Sequence, residues 1–206
     1  MEVYWAIFII LSSLSLLENI IKKNNQLYII LFIILIFISG FRYNVGGDWS
    51  TYQNYFNFSN NISLKDFYQN LNFISHDIGY LFLNYISNKL SLTIIGVNLI
   101  AALIFCYGLF KYCLLFERKY LALLISFPYL YLVVSMGYSR QSIAIGLTLL
   151  AIEKLSKDKE NWFLSILLIS FLFHKSSIIL LLAYFISMLF SRTFFENNKI
   201  RIIFSF

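Results

Sequence analysis

The sequence predicts an all-α, polytopic integral membrane protein with about seven transmembrane helices and one long extracytoplasmic loop that carries amphipathic or re-entrant helices. Two observations lead to this prediction. Hydrophobic residues make up 60% of the 206 positions and charged residues only 13%, whereas about a quarter of the residues in a soluble domain are charged. The apolar residues also form successive runs, several of them near the roughly 20 residues that a helix needs to span the hydrocarbon core.

Seven apolar runs are assigned as crossings, at residues 3–21, 27–41, 92–116, 120–136, 140–155, 162–173 and 176–190. An eighth run, GYLFLNYISNKL at 79–90, is shorter and contains Asn84, Asn88 and Lys89, which is typical of an interfacial or re-entrant helix. Residues 1–206 are treated as a single transmembrane domain, since no internal repeat is visible. The closing NNKIRIIFSF resembles the start of another helix, so this domain is expected to be the N-terminal portion of a longer protein.

The distribution of positive charge predicts the orientation. If the 79–90 helix does not cross, 11 of the 16 Lys and Arg residues lie on one side, as expected for cytoplasmic loops. If it crosses, the basic clusters at 111–119 and 154–159 move outside. The first arrangement puts the N-terminus and the 42–91 loop outside. The net charge of +6 is then an orientation signal, and nucleic acid is not an expected partner.

Seven polar residues then lie at the outer ends of helices and are able to converge on one extracytoplasmic site: Arg42, Asp48, Tyr138, Arg140, Gln141, His174 and Lys175. In GFRYNVGGDWSTY, at 40–52, the glycines favour a turn and Asp48 is suited to cap the helix that follows. Such a helix would hold Arg42, Asp48 and Tyr52 at the membrane surface. The neighbouring aromatic residues suit either sugar stacking or an interfacial belt.

In MGYSRQSIAIG, at 136–146, Arg140 and Gln141 occupy the first turn of a helix. Unpaired backbone N–H groups and the helix dipole favour an anion there, and a guanidinium adds a fork that matches phosphate oxygens. These features predict a phosphate or diphosphate site beside Tyr138. The alternative is that Arg140 only anchors the helix at the interface.

The histidines occur in two different settings. His174 and Lys175 follow a run of twelve residues, 162–173, which as a helix extends only about 18 Å, so this turn is expected to be recessed in a water-filled cavity. The alternative is an interfacial turn with Lys175 extended to water. His76 and Asp77 are interpreted as a solvated helix start with Asp77 near the N-cap.

Cys106 and Cys113 are interpreted as packing residues, because seven residues of helix separate them by roughly 10 Å. The sequence has no Cys/His zinc spacing, no P-loop and no serine-hydrolase elbow. No metal and no other cofactor is therefore expected.

Four motifs occur in an order that is similar to the EpsG-like branch of the Wzy polysaccharide polymerases: FRYNVGGDWSTY, DIGYLFLNYI, GYSRQSIAIGLTLLAI and FHKSSIILLL, which together span residues 41–182. This resemblance implies a bacterial inner-membrane glycosyltransferase that polymerises polyprenyl-diphosphate-linked repeat units at the outer face, without nucleotide sugars. Members of that family generally have more helices. Besides the lipid-linked oligosaccharide and membrane lipid, the resemblance suggests a chain-length regulator and a flippase as partners.

The resemblance also implies roles for individual residues. Arg140 and Arg42 would bind the diphosphate, and Asp48 or His174 would be the general base. The remaining candidates would bind substrate and shape the pocket: Tyr52, Tyr138, Gln141 and Lys175. Three other functions stay open, namely an O-antigen ligase, a lipid-linked oligosaccharide flippase or transporter, and a membrane acyltransferase.

Overall fold

The computed structural model describes residues 2–21, 25–60 and 77–194, and within these ranges the chain is all-helical. The α-helices are α1 (Glu2–Leu16), α2 (Glu18–Ile21), α3 (Asn25–Gly40), α4 (Trp49–Asn60), α5 (Ile78–Lys89), α6 (Ile94–Cys113), α7 (Lys119–Ser126), α8 (Ser139–Leu155), α9 (Glu160–Phe173) and α10 (Ile178–Phe194). A π-helix, Phe127–Ser135, continues α7, and a 3-10 turn, Lys175–Ser177, links α9 to α10. The predicted all-α class is confirmed.

Among the described helices, α6 alone is both long and apolar enough to cross a membrane by itself, while several other apolar helices have 10–17 residues. The count of about seven crossings therefore stays a prediction. The helices also expose many large apolar side chains to their surroundings, among them Trp5, Ile9, Ile30, Phe37 and Leu168. Water-soluble monomers rarely present such extensive apolar surface, whereas lipid accommodates it.

Helices α6 and α8 cross at a pair of glycines in the centre of the bundle. A Cβ atom on Gly108 would lie 1.9 Å from the carbonyl oxygen of Gly146, and one on Gly146 would lie 2.5 Å from the Cα of Phe105. Small residues at such a crossing let two backbones approach closely, which favours packing between helices in lipid. Helix α3 also packs on α6, and α9 packs on α8.

The apolar run at 120–136 contains two kinds of helix. The α-helix stops at Ser126 and the chain continues as a π-helix that has Pro128 in its first turn. Proline has no N–H to donate to the preceding turn, so the hydrogen-bond register changes where Pro128 enters. The π-helix ends at Ser135, next to the polar site described below.

The segment between α3 and α6 contains the short helices α4 and α5, which pack on each other. The side-chain amide of Asn88 donates to the carbonyl oxygen of Phe56 over 2.9 Å. Helix α5 is unusual because Asn84 and Ser87 are buried while Phe82 and Ile86 are exposed. An apolar outer face on a short helix fits the prediction of a helix that contacts lipid without spanning it.

At the end of the bundle away from the polar site described below, a buried carboxylate caps α7. Glu18 is 1% exposed, and its oxygens accept hydrogen bonds from the backbone N–H groups of Tyr120, at 2.9 Å, and Leu121, at 3.2 Å. A negative charge at a helix N-terminus is favourable, so Glu18 fixes the start of α2 to the start of α7.

Candidate functional site

Several helix ends meet at one end of the bundle and form the candidate site. The turn after α3 rests on the residues before α8: Gly46 has φ +101°, and a Cβ atom there would lie 2.8 Å from the Cα of Gly137. Only glycine combines this backbone angle with so close an approach. The GFRYNVGGDWSTY and MGYSRQSIAIG stretches are therefore in direct contact.

Arg42 is buried behind this contact, with 5% of its surface exposed. One terminal nitrogen, Nη1, donates to the carbonyl oxygens of Ser135 and, at 3.4 Å, Ser39. The other, Nη2, donates to the hydroxyl of Ser139 and to Oδ1 of Asn98 at 3.3 Å. The guanidinium thus joins α3, α6, the π-helix and α8.

The environment of Arg42 is polar but closed. The Ser139 hydroxyl donates to Asn98 Oδ1 at 3.1 Å, while Arg42 Nε and Asn98 Nδ2 are buried without a partner among the described residues. Burial lowers the pKa of Arg42, and Tyr80 and Tyr52 act in the opposite direction. A guanidinium stays charged at neutral pH, so Arg42 is a buried cation whose contacts hold helix ends together.

Arg140 lies in the first turn of α8, as predicted, and is more accessible, with 23% of its side chain exposed. Its Nη1 forms an ion pair with Oδ2 of Asp77 at 3.2 Å. The guanidinium carbon also lies 5.3 Å from the ring centroid of Tyr55 and 5.9 Å from that of Tyr52. A cation over aromatic rings gains roughly 0.5–2 kcal/mol per contact, depending on desolvation. Arg140 is therefore held by one carboxylate and two rings.

The two rings come from α4 and are neutral phenols. Burial raises the pKa of Tyr52, and Arg140 opposes this shift; the pKa of Tyr55 is raised for the same reason. Tyr52 and Tyr55 also pack edge-on against the buried Tyr80, with centroid distances of 5.4 and 6.0 Å. Helix α4 thus provides an aromatic wall beside Arg140.

The structure corrects the interpretation of Asp77. This residue does occupy the N-cap position of α5, but its side chain makes no capping hydrogen bond, and it is 9% exposed rather than solvated. Its carboxylate points to Arg140 instead. Burial of a carboxylate is costly unless the charge is paired, and Arg140 supplies the pairing cation. The neighbouring His76 lies outside the described residues.

His174 joins the same carboxylate from a third helix end. It follows the last residue of α9, its Nδ1 lies 3.5 Å from Asp77 Oδ2, and 34% of its side chain is exposed. The two elements approach closely because a Cβ atom on Gly79 would lie 3.0 Å from the carbonyl oxygen of Leu172. Gly79, two residues after Asp77, therefore lets α5 approach the end of α9 closely enough for this contact.

The other predicted residues are distributed around this cluster. Asp48 directly precedes α4, its carbonyl oxygen accepts from the N–H of Tyr52 at 3.0 Å, and its charge contributes to the raised pKa of Tyr52. Tyr138 is the partly exposed N-cap residue of α8. Within the described parts of the chain, no side-chain hydrogen bond or ion pair joins Tyr138, Gln141 or Lys175 to Arg140 or His174.

Arg140, Asp77 and His174 thus form one group of three ionisable side chains drawn from three helix ends. Arg140 offers a cation to an anionic ligand, because 23% of its side chain stays exposed although it is paired with Asp77. A neutral imidazole has one ring nitrogen that donates a hydrogen bond and one that accepts a proton. This arrangement is suited to binding an anion and to transferring a proton.

Two residues of the site, Asp77 and Asn98, are missing from the candidates that the sequence predicts. Asp77 belongs to DIGYLFLNYI, where its position before a helix indicates only an N-cap. Asn98 lies within an apolar helix, where a polar side chain is expensive and usually has a functional or structural partner. That rule would have singled out Asn98, whereas no sequence pattern links Asp77 to Arg140.

Comparison with known proteins gives one positive finding. The model of the EpsG family matches residues 25–206, which include every candidate residue named above. No curated protein and no solved structure gives a significant match. Because the match extends over most of the chain, this protein belongs to the EpsG family, whose members are membrane proteins associated with polysaccharide biosynthesis.

Proposed function

We propose that this protein polymerises polyprenyl-diphosphate-linked oligosaccharide repeat units into surface polysaccharide at the outer face of the bacterial cytoplasmic membrane. The observation that carries the proposal is the position of Arg140, a partly exposed guanidinium at a helix N-terminus between an aromatic wall and a histidine. Membership of the EpsG family supports a role in building polysaccharide, and Arg140 supplies the charge that a diphosphate leaving group requires.

The proposed reaction is a glycosyl transfer without an external energy source. A hydroxyl oxygen of the acceptor sugar attacks the anomeric carbon of the growing chain. The bond from that carbon to the phosphate oxygen breaks, and polyprenyl diphosphate leaves with the electron pair. Arg140 stabilises the charge that develops on the leaving group, and the hydroxyl proton passes to a general base, His174 or Asp48.

Arg42 has a different part in this proposal from the one that the sequence suggests. Its nitrogens are engaged by Ser39, Ser135, Asn98 and Ser139, so we assign it to positioning the start of α8 rather than to direct diphosphate contact. Tyr52 supports Arg140 through its ring. Tyr138, Gln141 and Lys175 are proposed to contact the sugar or the phosphates when substrate is bound.

The proposal also includes an environment and partners. The substrate is lipid-anchored, so a site at the helix ends and near lipid fits its geometry. We propose that these helix ends face the outside, that a flippase delivers the lipid-linked repeat unit there, and that a chain-length regulator acts on the growing polymer. No metal is assigned a role.

The test uses purified protein in liposomes with the lipid-linked repeat unit, a chelator and no nucleotide sugar. Wild-type protein is expected to form polymer, whereas Arg140→Lys should reduce the rate by roughly 10²-fold, because an ammonium does not reproduce the bidentate fork. Arg118→Lys is the matched control, since Arg118 is half-exposed at the other end of the bundle. Wild-type rates from Arg140→Lys, or a strict requirement for divalent metal, would contradict the proposed mechanism.

A further inference from the structure

A single carboxylate oxygen of Asp77 lies within 3.5 Å of both Arg140 and His174. We propose that Asp77 is a positioning residue that holds His174 as the general base, with Nδ1–H directed to the carboxylate and Nε2 directed to the acceptor hydroxyl. This inference rests on the proposed function and selects His174 over Asp48 as the base.

The exposure of the three side chains indicates which of them meets substrate. Only 7% of the Asp77 side chain is exposed, compared with 23% for Arg140 and 34% for His174. The carboxylate is almost closed to its surroundings and contacts both of the other groups, so it acts through them. Arg140 and His174 each keep an accessible side, and one carboxylate holds both of them, which places the anion-binding cation and the base next to each other.

The chemistry of the carboxylate determines the tautomer of the imidazole. An ionised carboxylate only accepts hydrogen bonds, so a neutral His174 must carry its proton on Nδ1, the nitrogen that faces Asp77. Nε2 then presents a lone pair, which is the form that a general base requires. When Nε2 takes the proton of the acceptor hydroxyl, the adjacent carboxylate stabilises the resulting imidazolium.

Asp48 has no comparable arrangement. Its backbone carbonyl oxygen accepts the N–H of Tyr52 in the first turn of α4, and its charge helps to raise the pKa of Tyr52. Within the described residues, its side chain makes no hydrogen bond or ion pair with a catalytic candidate. A base in glycosyl transfer must be held at one angle to the attacking oxygen. His174 meets this condition through Asp77, and Asp48 does not.

The alternative is that Asp77 only fastens α5 to α8 and α9. Both interpretations predict some loss of stability when Asp77 is changed, so the test needs a measurement that responds to the tautomer. The sequence contains two histidines, and His76→Gln leaves His174 as the only one. ¹⁵N NMR of histidine-labelled protein in nanodiscs then reports the protonation of each ring nitrogen of His174 directly.

In this background we expect the neutral imidazole of His174 to carry its proton on Nδ1 and none on Nε2. In Asp77→Asn the amide oxygen can replace Oδ2, which contacts both Arg140 and His174, so this variant should keep the Nδ1–H tautomer. In Asp77→Ala the acceptor is removed, and the Nε2–H tautomer that an unpartnered imidazole favours should predominate. A predominant Nε2–H signal while Asp77 is intact overturns the proposal, as does an unchanged tautomer in Asp77→Ala. Because the first of these measurements needs no Asp77 variant, it decides the matter even if Asp77→Ala does not fold.

Activity provides the second measurement. Asp77→Asn is expected to lower kcat for polymerisation by about 10²–10⁴-fold with a small change in KM, and Asp77→Glu should recover part of it. Asp158→Asn is the matched control, since Asp158 is exposed in the turn between α8 and α9. A change in KM alone would overturn the positioning role. Absence of polymerisation by wild-type protein that shows the Nδ1–H signal would reject the proposed function and leave the Asp77–His174 pair established.

Discussion

Arg42 and Arg140 are the same residue type at the same end of the bundle, yet their surroundings give them different roles. Arg42 is 5% exposed and its terminal nitrogens are shared among four acceptors on four elements. Arg140 binds one carboxylate and keeps part of its side chain accessible. A buried cation whose terminal nitrogens are engaged by the protein holds structure, whereas a cation with an accessible side is available to a ligand.

Arg42→Lys should therefore lower stability more than it alters the chemistry of the site. A lysine ammonium cannot reach all four acceptors in the same geometry, and each buried hydrogen bond to a charged group contributes about 1.5–3 kcal/mol. We expect a lower unfolding temperature in detergent and less protein in the membrane. Arg118→Lys should be near wild type, because half-exposed ion pairs contribute little. An unchanged unfolding temperature for Arg42→Lys would show that this network is not structural.

At the scale of single residues, the sequence predicts Arg140, Tyr52 and His174 from their positions at helix ends, and the structure brings these three to one cluster. Asp77 escapes prediction as a site residue because an aspartate before a helix has a sufficient local explanation as an N-cap. Instead of capping α5, the side chain pairs with Arg140, which lies 63 positions further along the chain. Such a choice depends on tertiary packing, which no local pattern contains.

At the scale of elements, the site depends on how helix ends are brought together rather than on the helices themselves. The loop after α3 rests closely on the residues before α8 because Gly46 adopts φ +101° beside Gly137. At the neighbouring Gly47, an added Cβ atom would have no other atom within 4 Å. Two adjacent glycines thus differ in function, although the VGGDW sequence gives no indication of which one is required.

Gly46→Ala should displace this loop, since the added methyl group meets backbone atoms and the backbone angle itself costs about 1–3 kcal/mol for a non-glycine residue. Because the loop leads into α4, the wall formed by Tyr52 and Tyr55 should shift, and a displacement near 1 Å at a reacting centre reduces rates by roughly 10²-fold. Polymer yield per membrane-inserted protein is the measurement. Gly47→Ala should retain wild-type yield, and equal losses in both variants would show that loop docking is not what the site requires.

The all-α class and the positions of most helices follow from the hydrophobic runs, but two features of the helices do not. The change from α7 to the π-helix at Phe127 has only Pro128 as a sequence signal, and proline is equally compatible with a kink or a helix start. The burial of Asn84 and Ser87 on α5 also opposes the usual assumption that polar residues on a short helix face water. Packing against α4 and α9 provides the reason.

At the scale of the whole molecule, polar groups are segregated to the two ends. One end contains Arg42, Asp77, Arg140 and His174, and the other contains Glu18 with Arg118 and Lys119. Helix α5 starts at the first end, where Asp77 meets Arg140, and the chain re-enters α6 at that same end, where Asn98 meets Arg42. Because the chain enters and leaves α5 at the same end of the bundle, α5 is expected not to cross the membrane.

This arrangement predicts the orientation of the protein in the membrane. If α5 does not cross and the basic end is cytoplasmic, position 53 in α4 is outside and position 159, before α9, is inside. If α5 does cross, the helices after it invert and both positions are outside. Gln53 and Lys159 are exposed, so a cysteine at either position is reachable without disturbing the core.

Single cysteines, Gln53→Cys and Lys159→Cys, in a background of Cys106→Ala and Cys113→Ala provide the measurement. Both native cysteines are fully buried, so alanine removes residual thiol signal with little change in surface. In intact spheroplasts an impermeant maleimide is expected to label position 53 alone, and position 159 only after permeabilisation. Labelling of both positions in intact spheroplasts would mean that α5 spans the membrane. Arg140 and His174 would then face the cytoplasm, where a flipped lipid-linked repeat unit does not reach them.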